Sequence, residues 1–120
     1  DIGYVKMLNK TLSLTMKGGN AKKDMQIFAF SIGDIGFICA PYEMFNANGM
    51  QIKEASKFDT TFVVTCANES HSYIPSANAY AYENSSTPYE VNACKYEPGT
   101  GEKLAQEYGK LLDKIYRSRK

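Results

Sequence analysis

Histidine is almost absent from this chain: His71 stands alone among 120 residues. A nucleophilic system that borrows an imidazole, whether Ser-His-Asp or Cys-His, would have to use it. Its neighbours Ser70 and Ser72 cannot fold back into a triad through adjacency alone, so an exposed loop histidine is the plainer reading. Cysteine is scarce too. Cys39, Cys66 and Cys94 are odd in number and far apart, unlike the close pairs of a zinc knuckle or a redox motif, which argues against a disulfide framework. Cys39 and Cys66 fall in predicted strands, where a small buried thiol is the ordinary expectation.

No sign of charge dominates. Fourteen basic against thirteen acidic side chains leave +1, too weak a field to favour nucleic acid or an anionic membrane. The tail Arg117-Ser118-Arg119-Lys120 is locally basic, and a terminal run of this kind is ordinarily solvated. No stretch approaches the roughly 20 apolar residues of a membrane helix, so no transmembrane segment is expected, and no charged-then-apolar leader stands at the start. The first residue is Asp1 rather than Met, as processing or excision from a longer protein would produce. Against these absences, 43% hydrophobic and 22% charged residues are globular values that leave disorder, collagen and coiled coil as poor readings. One domain over residues 1–120 is the economical expectation.

Along the chain, Leu12, Leu14 and Met16 alternate with Thr11, Ser13 and Thr15, the period of a half-buried strand within Tyr4 to Met16. Lys17-Gly18-Gly19-Asn20 breaks it. Met25 to Ile32 reads as a second strand, and Gly33-Asp34 separates it from Ile35 to Ala40 closely enough to predict a hairpin. Pro41 suits the first turn of a helix, with Glu43 in the same turn, where the helix dipole favours a carboxylate. Phe45, Ile52 and Ala55 recur at helical spacing through Met44 to Lys57. Thr60 to Ala67, β-branched and nearly continuous, reads as a central parallel strand.

A strand, a helix and a second strand in that order join by a right-handed crossover that leaves the strands parallel. Their carboxyl ends then share the rim where open α/β sheets bind ligands. Glu43 follows the first of these strands and Tyr73 the second. Asn68 to Glu97 shows no regular pattern and carries Tyr73, Tyr80, Tyr82, Tyr89 and Tyr96, so it reads as a long functional loop or as an aromatic lid. From Leu104 to Tyr116 the apolar positions follow one helical face, which predicts a final amphipathic helix packed on the sheet. The fold class expected is therefore α/β, a mixed sheet of about four strands with a β-α-β unit, two main helices and a tyrosine-rich loop.

Two motifs carry little. Gly99-Thr100-Gly101-Glu102-Lys103 lacks the Gly-Lys-Ser/Thr order and the leading strand of a phosphate-binding loop, so its glycines are expected to shape the entry to the last helix. The triplets beginning at Asn9, Asn68 and Asn84 match a glycosylation acceptor that chance produces easily among so many Ser and Thr. Taken alone, Glu43 is a helix-start carboxylate and Tyr73 a packing aromatic.

What joins them is a resemblance. Pro41-Tyr42-Glu43-Met44-Phe45, then Ala67-Asn68, then Tyr73-Ile74-Pro75-Ser76, preceded by the Gly33-Asp34 hairpin and followed by tyrosines and a final helix, resembles the C-terminal part of the catalytic domain of the neutral/alkaline non-lysosomal ceramidase family. The resemblance covers most of the chain from about Met25 onward. It implies a zinc amidohydrolase of sphingolipid metabolism that cleaves an N-acyl amide such as ceramide, secreted or at the cell surface. Its zinc is held by two histidines, a glutamate and a tyrosine, and by motif the last two are Glu43 and Tyr73. Asn68, His71, Ser76 and Tyr80 become candidate substrate or site-loop residues. The two histidines and the family's active-site serine lie in upstream segments that these 120 residues do not contain, and His71 matches no ligand position. The expectation is thus part of a longer hydrolase, inactive alone, whose partner is the remainder of the catalytic domain and whose exposed sheet invites self-association. The competing expectation is a non-catalytic binding or assembly module whose tyrosine-rich loop makes the contacts.

Overall fold

The computed structural model describes residues 5–66, 73–81 and 89–118. In chain order these form β1 (Val5–Thr15), β2 (Lys22–Ile32), β3 (Ile35–Ala40), β4 (Glu43–Met44), α1 (Asn46–Ala55), β5 (Thr60–Thr65) and β6 (Tyr73–Ile74). A 3-10 turn (Ala77–Ala81), α2 (Tyr89–Ala93) and α3 (Thr100–Arg117) complete the set. The main sheet has the order β1-β2-β3-β5, and among the described residues β4 pairs only with β6. The first three strands are antiparallel neighbours, while β3 and β5 run parallel in the register Ile35↔Thr60 through Ala40↔Thr65. This is the mixed four-stranded sheet with a β-α-β unit that the sequence predicts.

The alternation in β1 sets which face is buried. Leu12 and Leu14 are buried while Thr11 and Ser13 are exposed, and Met25, Ile27 and Ala29 of β2 continue the same inner face. The β2–β3 hairpin turns through Gly33-Asp34 with Ile32 paired to Ile35. Gly33 has φ +56°, a left-handed value at the first turn position, where glycine adopts it without steric cost. On the inner face lies α3, whose Leu104, Tyr108, Leu111, Leu112 and Ile115 are buried together with the sheet residues. Each leucine and isoleucine of this face contributes about 1.5–3 kcal/mol by leaving water. Gly99, at φ +92°, caps the start of that helix, so the glycines shape its entry as expected.

Several local expectations are corrected. The first helix begins at Asn46 rather than Pro41, because Pro41-Tyr42 forms a bend that buries Tyr42 completely and Glu43–Met44 are held in a ladder instead. Tertiary pairing outweighs the helix-start preference of Pro41 and Glu43. The buried side of α1 is Asn48, Gly49 and Ile52, with Ala55 exposed. Strand β2 starts three residues early, since Lys22, Lys23 and Asp24 are exposed and pair with Thr15, Leu14 and Ser13 respectively.

β5 is parallel as predicted but forms an edge, not the centre, and stops at Thr65. The next residue, Cys66, adopts φ +55°, a left-handed value outside the strand region. Its β-branched run has an intermediate to exposed pattern because no strand lies beyond it among the described residues. The segment read as irregular contains β6, the 3-10 turn and α2, elements too short to leave a periodic signal. All three cysteines are free thiols, Cys94 buried, Cys39 half-buried and Cys66 exposed, so the expectation of a buried thiol fails at Cys66.

Candidate functional site

Beyond β3 and β5 the same two stretches of sequence are paired again. The Cys66 amide donates to the Tyr42 carbonyl at 3.2 Å, and β4 pairs with β6, Glu43 opposite Tyr73 and Met44 opposite Ile74. Adjacent strands lie ~4.8 Å apart, and side chains alternate between faces along each strand. The carboxylate and the phenol therefore leave neighbouring backbones toward the same side. Burial follows that alternation: Glu43 is exposed and Tyr73 half-buried, while Ile74 is in the core and Met44 packs against it. Among the described residues no hydrogen bond or ion pair occupies the Glu43 carboxylate.

The strand carrying Tyr73 is tied to the rest of the domain from behind. Ser76 Oγ donates to Asn78 Oδ1 at 2.5 Å and the Ala79 amide to the Ser76 carbonyl at 3.1 Å, which closes the 3-10 turn. The Ala77 amide donates to Glu102 Oε2 at 3.0 Å, and the same oxygen accepts from Asn48 Nδ2 at 2.7 Å. One carboxylate at the start of α3 thus holds both α1 and the loop after β6. The approach is so close that a β-carbon on Gly101 would stand 2.5 Å from Asn48 Oδ1 and 2.8 Å from the Pro75 carbonyl. Two surface grooves meet at Phe45 and Asn46 beside β4. One of ≈ 320 Å³ reaches Ser76, Asn78 and Glu90, and one of ≈ 190 Å³ reaches Lys53, Val63 and Thr65.

Solved structures with a similar fold include two ceramidases. A ceramidase complexed with C2 matches over 82% of this chain with a TM-score of 0.68 and 22% identity. The crystal structure of neutral ceramidase from Pseudomonas aeruginosa matches over 82% with a TM-score of 0.63 and 24% identity. The fold is that of a neutral-ceramidase segment. The chain spans 17% of the length of each of those ceramidases. No family model and no curated protein sequence matches it. The ceramidase likeness is therefore one of backbone architecture, and it agrees with the resemblance read from the Pro41–Phe45 and Tyr73–Ser76 motifs.

Within this ceramidase-like fold the other candidates take different places. Asn68 and His71 lie outside the described residues. Ser76 is buried and spends its hydroxyl on Asn78, so it shapes the turn beneath the larger groove. Tyr80 is half-buried, and its hydroxyl is pushed above its ordinary value, first by burial and then by its hydrogen bond to the Cys94 thiol and the nearby Glu102 charge. Sequence reasoning missed Glu102 and Asn48. The available signal was Asn48 itself, a polar residue on the helix face that also carries Ile52, since buried polar groups need partners.

Among the described residues no three of His, Cys, Asp and Glu gather closely enough to hold a metal ion. Glu43 and Tyr73 nevertheless fit part of a zinc site. A carboxylate and a phenol are hard oxygen donors, they share a side of one ladder, and the carboxylate has no partner among the described residues. Two donors are half of the usual four. The remaining ligands would have to come from polypeptide other than the described residues.

Proposed function

We propose that this chain is the C-terminal portion of the catalytic domain of a neutral ceramidase-like zinc amidohydrolase. In this reading Glu43 and Tyr73 supply two oxygen ligands, and two histidines arrive from polypeptide upstream. The observation that carries it is the Glu43–Tyr73 register pair. Residues thirty apart in sequence meet on adjacent strands at the carboxyl rim of the parallel pair, where an open α/β sheet binds ligands. Zinc held there would supply Lewis-acid chemistry to an amide carbonyl and acidify a water molecule.

The chain's own residues have narrower tasks. The β4–β6 ladder fixes the separation of the two oxygens. Burial of Ile74 and the bond from Ala77 to Glu102 keep Tyr73 from swinging away. The grooves on either side of Phe45 offer a partly apolar surface for an acyl or alkyl chain of an N-acyl amide such as ceramide.

Zinc titration tests the reading. The 120-residue chain alone should bind zinc weakly, and a protein extended by an upstream segment bearing two histidines should bind it tightly. Glu43→Ala and Tyr73→Phe should each lower that affinity by 10-fold or more, the loss of one direct ligand. Binding indifferent to both substitutions would instead support a non-catalytic contact module.

A further inference from the structure

Helices α1 and α3 fill one face of the sheet, and among the described residues nothing covers the other. Seven large apolar side chains are exposed among the described residues, and six of them lie on this open face: Val5, Met7, Ile32, Ile35, Phe62 and Val64. Met50 is the exception. The register aligns them in rows that cross all four strands. In the central row Met7 stands opposite Phe30, Phe30 opposite Phe37, and Phe37 opposite Phe62. Its rings stack, with centroids 4.5 Å apart between Phe30 and Phe37 and 5.4 Å between Phe37 and Phe62. The six exposed side chains present on the order of 500 Å² of apolar surface, at the upper end of what a monomer carries.

We propose that this face is the seat of an apolar layer contributed by the rest of a ceramidase-like catalytic domain. The inference rests on the function proposed above and names the surface through which the two parts join. Three observations select that occupant. The matched ceramidases are far longer than the segment they share with this chain, which spans 17% of their length. The three apolar rows hold no charged side chain. Beyond them the same face turns polar at Gln26, Asp24 and Lys22, which marks where the covering layer stops.

Position supplies the third argument. The row through Phe28, Cys39 and Val64 borders the carboxyl ends of β3 and β5, and β4 begins three residues after Ala40. A layer on this face therefore ends beside the rim that holds Glu43 and Tyr73, where the absent ligands are needed. A second copy of this chain could cover the apolar rows as well, but it would bring no pair of histidines.

The test places the photo-crosslinking residue p-benzoylphenylalanine at Phe62, and separately at Met50, in the protein expressed at its native length. Crosslinked peptides are identified by mass spectrometry, and zinc content is measured on the same samples. The expected result is a crosslink from position 62, not from position 50, to an apolar peptide of the same polypeptide outside residues 1–120. A crosslink from position 62 to a second copy of this sheet, or none in the folded protein, overturns the proposal. A crosslink without bound zinc upholds this surface and sinks the metal reading, whereas bound zinc without a crosslink does the reverse.

Discussion

Two glycines of one helix should respond in opposite directions to the same substitution. At Gly101 a β-carbon would meet Asn48 Oδ1 at 2.5 Å and the Pro75 carbonyl oxygen at 2.8 Å, while at Gly109 it would meet nothing within 4 Å. Ordinary contact needs roughly 3.5 Å, so Gly101→Ala must displace two groups by most of an ångström. One of them is backbone, which no rotamer change relieves. Such overpacking costs about 1–3 kcal/mol. Pulling Asn48 from its 2.7 Å bond to the Glu102 carboxylate adds about 1.5–3 kcal/mol if the bond breaks outright. Against this stands a helix-propensity gain of at most about 1 kcal/mol for Gly→Ala, smaller in the first turn than in the interior. The net expectation is a loss of roughly 2–5 kcal/mol for Gly101→Ala when the bond breaks and a gain of up to about 1 kcal/mol for Gly109→Ala. Urea unfolding followed by circular dichroism reads the difference as a shift in midpoint at unchanged slope. Equal midpoints for the two variants would refute the close approach of α1, α3 and the Pro75 segment.

Two buried tyrosines should also differ in sign. Tyr108 donates to the Cys39 carbonyl at 2.9 Å, so Tyr108→Phe should cost about 1 kcal/mol. The buried Tyr42 hydroxyl has no partner among the described residues, and Tyr42→Phe should be neutral or stabilising in the same unfolding assay. Burial, the main cause, pushes both hydroxyls above their ordinary value. Their contribution to stability is thus fully present below the unfolded value of roughly 10 and is lost as pH rises through the folded values. Alkaline unfolding of the double Phe variant should begin at higher pH than that of the parent. Glu102→Ala removes the acceptor for both Ala77 and Asn48. Amide exchange at Tyr73 and Ile74 should accelerate at least tenfold, and unchanged protection there would show that the short ladder stands without the carboxylate.

The parts of this fold that were legible are those whose pattern repeats. Leu12 and Leu14 against Thr11 and Ser13, the Gly33-Asp34 turn, and the face Leu104–Tyr108–Leu111–Leu112–Ile115 each encode a local structure that the tertiary fold keeps. What failed depends on distant partners. Nothing near Glu43 reveals that it belongs to a strand, because the strand is two residues long and its partner lies thirty residues away. The exposure of Phe62 and Val64 was hidden for a related reason: a β-branched run reads alike in a central strand and in an edge strand with one open face.

The misplaced helix start matters for chemistry more than its few residues suggest. In a helical first turn Glu43 would spend its charge on the local backbone dipole, and its distance from Tyr73 would depend on how a ten-residue helix sits on the sheet. On the β4–β6 ladder that distance is set by backbone hydrogen bonding between the strands that carry the two residues. Under the function proposed above the two donors share one ion and need such control, because a displacement of about 1 Å can cost a site its function. The ladder is too short to hold itself together, so its order must come from behind: Ile74 in the core, Glu102 on Ala77, and the bare surface of Gly101 that lets Asn48 and Pro75 close in. The sequence departs from strong local signals at Pro41 and Glu43, at the place where the structure brings a carboxylate and a phenol together. Departures of this kind are expected where a site, rather than the fold, sets the requirement.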